Sequence, residues 1–303
     1  MRSGRPGTEK MKRQLLLLSP LLFFAGCAGN RRDVRLTSEP SIERALDIVG
    51  STALGRPLIR FLYKNPVSFE YSNTPGLCHK FSLKTETIYL PLDYKGSDLV
   101  LALALARAGH IYRIYALTGM PEVISEEEEL GAIFQARLAV ELNLVNADFD
   151  KAGGAAEIKN DFCTYVLENS AYVMAQARKR ALTPDTDCQR PRETIENQRV
   201  WLEKTLRAIN DETFYQLLYE RDMARVKKGA MPVSEAMKND AVLRSLPTYT
   251  VYRYQRTFYD AQNDIFTRFG KIYSDEIHKD ASWRAAHRQE IERAREEFSS
   301  CNL

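Results

Sequence analysis

Apolar positions recur at helical spacing from Pro40 through the segment IERALDIVG, with Gly50 as the stop. A second short helix is predicted over 57–63. The period then changes. Val67, Phe69 and Tyr71 alternate with Ser68, Glu70 and Ser72, which is strand spacing. Asn73-Thr74-Pro75-Gly76 reads as a turn, and two further strands are predicted at 78–83 and 86–91, joined by Lys84-Thr85. After Ser97-Asp98 nearly everything reads as helix. Residues 99–117 are apolar nearly all round, the mark of a central buried helix. Ser125 is placed to cap a helix through Leu144, whose acidic first turn suits the positive end of the macrodipole. Helices follow at 155–182, 192–208, 211–228, 233–245 and 248–298, the last interrupted at Gly270. The fold class expected is α+β and predominantly α-helical. A small antiparallel sheet of about three strands near the start packs on a helical bundle.

The head of the chain reads differently. Lys12-Arg13 precede LLLLSPLLFFAG, a run too short to span a bilayer but suited to an export signal over 1–26, with Met11 as its natural start. Its end, Phe24-Ala25-Gly26-Cys27, resembles the bacterial lipobox. That resemblance implies a diacylglycerol on the Cys27 thiol and cleavage just before it. Residues 27–38 then form a lipidated start and a polar tether. Ala28, not Asp, follows Cys27, which in a Gram-negative cell resembles proteins sent to the outer membrane, facing the periplasm.

Charge changes the picture once the signal is removed. Segment 1–26 holds five basic side chains and one acidic one, so taking that excess of four from the overall +3 leaves about −1. Nothing then argues for nucleic acid. With Cys27 lipidated, Cys78, Cys163, Cys188 and Cys301 remain. They are compatible with two disulfides in any of three pairings, or with buried thiols. No CxxC suggests a zinc knuckle, and no P-loop, dinucleotide fingerprint or Gly-x-Ser-x-Gly elbow is present. The only cofactor expected is the covalent lipid on Cys27. Tyr252, Tyr259, Phe266 and Tyr273 fall at heptad spacing, which favours core or partner packing over a ligand groove.

The order of elements carries the remaining signal. A hairpin ending in TETIYLPLDY leads through Gly96-Ser97-Asp98 to a buried helix with ALARAGHIYR, then to EEEELGAIFQARLAVEL. Over residues 66–145 this resembles the core of a zincin-type metallopeptidase, which carries His-Glu-x-x-His on one helix and a third ligand, often Glu, on a later one. The resemblance places Ala106 at the first histidine, Arg107 at the catalytic glutamate and His110 at the second histidine, with Glu128 and Glu129 near the third ligand.

The chemistry does not survive those replacements. Ala106 and His110 share a helix face, but alanine has no donor atom, and a catalytic zinc needs three protein ligands. Arg107 has no lone pair to act as a base. No catalytic residue and no metal are therefore expected. Arg107 is placed instead to pair with Glu128 or Glu129. The acidic run 126–129 reads as a helix N-terminus. His110 reads as a core histidine donating to a backbone carbonyl, or as a contact in a remnant cleft. His79 reads as a strand residue, with entry into the same cleft as the alternative.

The domains expected are a zincin-like core over 39–150 and a helical extension over 151–303. The function expected is a membrane-anchored lipoprotein of the cell envelope with a catalytically inactive domain that binds or scaffolds a protein or envelope partner. The alternatives are a hydrolase, a peptidase rebuilt around His110, and a purely structural lipoprotein.

Overall fold

The computed structural model describes residues 35–72, 80–82, 85–120, 124–183, 193–211, 214–244 and 247–301. The export signal, Cys27, Cys78, His79 and Cys188 lie outside these residues.

The described residues open with two helices, α1 (Pro40–Ser51) and α2 (Gly55–Lys64). Three strands follow: β1 (Ser68–Ser72), β2 (Lys80–Ser82) and β3 (Thr87–Pro91). A 3-10 turn over Leu92–Gly96 leads into α3 (Asp98–Thr118), and α4 (Ser125–Glu141) comes next. The rest is helical: α5 (Asn146–Phe149), α6 (Ala156–Leu167), α7 (Ser170–Leu182), α8 (Ile195–Asp211), α9 (Phe214–Lys227), α10 (Val233–Arg244), α11 (Pro247–Ala286) and α12 (Arg288–Glu297). The fold is α+β and mostly helical, with one small sheet near the start of the folded part.

The sheet is mixed, not antiparallel throughout. β3 lies in the centre, antiparallel to β2 and parallel to β1, with Phe69 opposite Ile88. The β2–β3 pair is a hairpin and can only be antiparallel. β1 joins on the other side of β3, so two strands close in sequence never pair. The outer edge of β1 is covered by the preceding chain: Phe69 N–H donates to Leu36 O at 2.7 Å, and Thr37 Oγ1 donates to Phe69 O at 2.8 Å. Covering an edge in this way withholds it from other chains.

α3 is buried on nearly every side from Val100 to Tyr112. α1, α2, the sheet and α4 surround it. Ser97 caps it by accepting from Val100 N–H, and Gly119 ends it in the left-handed region at φ +75°. α4 is buried along its whole length to Val140.

Three boundaries differ from expectation. Ser125 is not the cap of α4: Ile124 precedes the helix in an extended conformation, and Ser125 Oγ donates to Glu126 Oε2 at 3.1 Å. The helix expected over 155–182 breaks at Glu168, and Asn169 caps α7 by accepting from Ala171 N–H. α11 runs straight through Gly270 and stops near His287 instead. There the imidazole stacks on Trp283 at 4.0 Å, and its Nδ1 shares Trp283 O (2.9 Å) with the His287 backbone N–H (3.0 Å).

α11 packs on α8 around a second apolar cluster that contains Ile114, Leu130, Leu202, Phe266 and Phe269. Of the aromatic repeat, Phe266 is core, and Tyr259 and Tyr273 are half-buried against the same cluster. Cys163 of α6 is joined by a disulfide to Cys301, just after α12.

Candidate functional site

The helix turn singled out by the sequence lies where α3 is clasped from two sides. Gly131 of α4 sits so close that a Cβ there would meet Arg107 Cγ and Ile111 Cδ1 at 3.0 Å. On the other face, Gly109 receives Leu58 and Leu62 of α2, with Leu62 Cδ1 3.4 Å from the position of a Cβ. Two glycines thus let three helix backbones close on the 106–111 turn.

Arg107 fills the space beside that turn. Its Nη2 and Nε donate to Glu128 Oε2 at 2.8 and 3.0 Å. Its Nη1 donates to Glu157 Oε1 at 3.3 Å and Asp161 Oδ2 at 3.4 Å, both on α6. Arg180 of α7 holds both oxygens of Asp161, at 2.8 and 2.6 Å. Its Nε is also 3.1 Å from Glu157 Oε1. Two guanidiniums and three carboxylates therefore knit α3, α4, α6 and α7 together. Burial works against the charge on Arg107, but Glu128, Glu157 and Asp161 more than offset it and push its pKa up. Burial also pushes the Asp161 carboxyl up, opposed by Arg180 and Arg107.

The residues around it do not fit a zinc ion. Ala106 is fully buried and brings only a methyl group. Glu128, which a metal would need as a ligand, points an oxygen at a guanidinium. Arg107 puts a fixed positive charge where the resemblance would put a base. Among the described residues, no group of three or more His, Cys, Asp and Glu side chains is arranged to hold a metal.

His110 is 3% exposed and stacks on Phe134, with ring centroids 4.3 Å apart. Burial lowers its pKa to about 3, so the ring is neutral at ordinary pH. It is a core histidine, but its Nδ1 has no hydrogen-bond partner among the described residues, so no backbone carbonyl receives a proton from it there.

The glutamates of the acidic run go separate ways. Glu126 accepts from Ile195 N–H at 3.1 Å and so fixes the start of α8. Glu128 takes Arg107. Glu129 binds Arg178 of α7 and accepts from Tyr273 OH of α11 at 2.6 Å. Burial raises the Glu129 pKa, against the pull of Arg178 and Tyr273. Glu129 is thus not the partner of Arg107. The run lies in the first turn of α4 as the dipole argument expected, and the side chains of Glu126, Glu128 and Glu129 are buried cross-links between elements.

A second polar knot, not anticipated from the sequence, holds α11. Asp280 Oδ1 accepts from Arg137 Nε at 2.8 Å and Tyr165 OH at 2.9 Å, and Oδ2 accepts from Ser170 Oγ. Arg284 Nη1 donates to Tyr165 O at 2.7 Å. One signal was available for part of this set: Glu157 and Asp161 stand four residues apart and so share a helix face, whereas Arg178 and Arg180, two apart, do not.

One open cavity of about 500 Å³ lies beside Glu129, Met174 and Arg178, and another of about 380 Å³ lies between the end of α4 and α12. Arg107 and His110 line neither. The arrangement as a whole defines a mainly helical α+β protein with a buried ion-pair network at its central helix crossing. Comparison with known proteins finds no matching family model, curated protein or solved structure.

Proposed function

We propose that this chain is a lipid-anchored envelope protein that works by binding or scaffolding, with a zincin-like centre closed by an ion pair instead of opened by a metal. The observation that carries this reading is the Arg107–Glu128 contact at 2.8 Å. The side chain at the base position spends its charge on the side chain at a ligand position, and Ala106 supplies nothing in their place. No group in that turn is suited to take a proton from water: Arg107 has no lone pair, and burial lowers the pKa of His110 to about 3.

Two features support export and anchoring. One is the apolar run ending in Ala25-Gly26-Cys27. The other is the Cys163–Cys301 disulfide, a bond that persists in oxidising compartments outside the cytosol. The partner is the membrane through the lipid, together with an envelope component bound by the folded domain. A hydrolase rebuilt around His110 is disfavoured by the ring itself, which is buried and has its pKa lowered to about 3 by that burial.

Membrane fractions and the intact mass of the purified chain test the proposal, with a peptidase assay run with and without chelator. The expected results are a diacylglycerol adduct on Cys27, loss of membrane association in Cys27→Ser, and no chelator-sensitive cleavage. A chelator-sensitive peptidase activity abolished by His110→Ala would overturn the inert reading. An unmodified Cys27 would overturn the anchor.

A further inference from the structure

The short helix α2 is two-faced. Leu58 and Leu62 are fully buried against α3, and Phe61 lies under Arg113 of α3 at 5.8 Å. Arg56, Arg60 and Lys64, spaced by four residues, are exposed, and Tyr63 beside them is 49% exposed. Four-residue steps on a helix make a stripe that drifts only slowly around the axis. Arg60 and Lys64 enter no ion pair among the described residues, and Arg56 reaches only Ser51 O at 3.5 Å. With Arg113 alongside, four cations crowd one side of a chain whose mature net charge is near −1. Long basic side chains with an aromatic ring among them suit an interface of phosphate above and hydrocarbon below.

Position along the chain says what lies opposite. Five residues separate Lys64 from Phe69, which spans at most about 18 Å. Phe69 is hydrogen-bonded to Leu36, where the tether joins the fold. Cys27 is nine residues before Leu36, a reach of about 30 Å at full extension. With a lipid on Cys27, the end of the basic stripe is within chain reach of the bilayer, about 48 Å at full extension.

We propose that the outer face of α2, through Arg56, Arg60, Lys64 and Arg113, is a contact surface for anionic phospholipid headgroups. It orients the domain on the membrane that holds it. The reason for placing a bilayer there rests on the anchored reading given above, whereas the contact itself is testable without the lipid.

The test is flotation of the chain from Ala28 onward, which retains the whole Leu36–Leu303 compact unit, with vesicles. One set is phosphatidylcholine alone and the other includes about one third phosphatidylglycerol. Binding is expected on the anionic vesicles only, and it should fade when salt shortens the screening length. The combined substitution Arg56→Gln, Arg60→Gln and Lys64→Gln should weaken it about a hundredfold, roughly fivefold per basic side chain. Its thermal transition should match that of the parent. Replacing the exposed Lys227, Lys228 and Lys238 by Gln removes the same charge elsewhere and should change binding by less than about twofold. Equal binding to neutral vesicles, an unaffected α2 variant, or equal loss in the control variant would overturn the proposal. The mass of Cys27 in chain isolated from cells is read separately, so failure of the anchor and failure of the α2 surface give different results.

Discussion

Arg107 and Glu128 meet through two charge-assisted hydrogen bonds to a single carboxylate oxygen, at 2.8 and 3.0 Å, in a place where both side chains are at most 10% exposed. Such a pair need not stabilise the fold relative to an apolar pair of the same shape. Breaking it from one side is a different matter.

Arg107→Ala leaves Glu128 and Asp161 buried without their shared cation. The expected loss is about 3–5 kcal/mol, read from denaturant unfolding. Arg107→Ala combined with Glu128→Ala should lose less than the two single changes added together, because the second change removes the stranded charge. Additive losses would mean that the contact is incidental.

Gly131→Ala tests the helix crossing. Alanine is a better helix former than glycine by about 1 kcal/mol. Here the new methyl would sit 3.0 Å from Arg107 Cγ and from Ile111 Cδ1. Arg107 is pinned by three carboxylates and Ile111 is buried, so neither yields cheaply. Overpacking at about 1–3 kcal/mol outweighs the propensity gain, and the urea midpoint should fall.

Cys301→Ser opens a covalent link between residues 138 apart in sequence. A loss of about 2–5 kcal/mol is expected, and Cys163→Ser should match it. The double substitution Cys163→Ser and Cys301→Ser should cost no more than either single change, because one bond is lost in all three.

His110 gives a pH signature. Its folded pKa is depressed to about 3 by burial. Glu276 on α11 works against that, and Arg113, Arg137 and Lys279 add to it. For a base with a depressed pKa, the unfolded chain takes up the proton first as pH falls. Stability contributed by the neutral ring is complete above about pH 6.5 and declines toward pH 3, by about 1.4 kcal/mol per pH unit inside that window. His110→Phe should remove this slope while the carboxylates keep theirs. Unfolding free energies measured between pH 7 and pH 4 decide the matter, and parallel curves for the two proteins would refute it.

Much of the scaffold could be read from the chain, for physical reasons that differ by element. α3 carries no charge between Asp98 and Arg107, so its central position follows from composition. β1 shows in the alternation of Val67, Phe69 and Tyr71. The parallel pairing of β1 with β3 was not legible, because alternation tells which residues face the core and nothing about which strand is the neighbour. Gly270 was taken for a break on propensity alone, whereas helix packing against α8 carries it through. The Arg107–Glu128 pair was one of two expected, with Glu129 as the other partner, because the resemblance sets Arg107 and these glutamates around the same vacated metal position. Arg180, Glu157 and Asp161 were missed, since their contacts join α6 and α7 to the site across the tertiary fold. The Cys163–Cys301 pairing needed coordinates, because spacing does not choose among pairings.

Under the proposed reading, the 106–110 turn holds an ion pair where a zincin would hold its metal. Zinc titration of the parent protein beside the double substitution Ala106→His and Arg107→Glu, followed by calorimetry and by the thermal transition, tests it most directly. The account predicts no stoichiometric zinc in the parent and a zinc-dependent rise in thermal stability in the variant, because two imidazoles and the freed Glu128 can then serve as ligands. One tightly held zinc per parent chain, lost in His110→Ala, would contradict it.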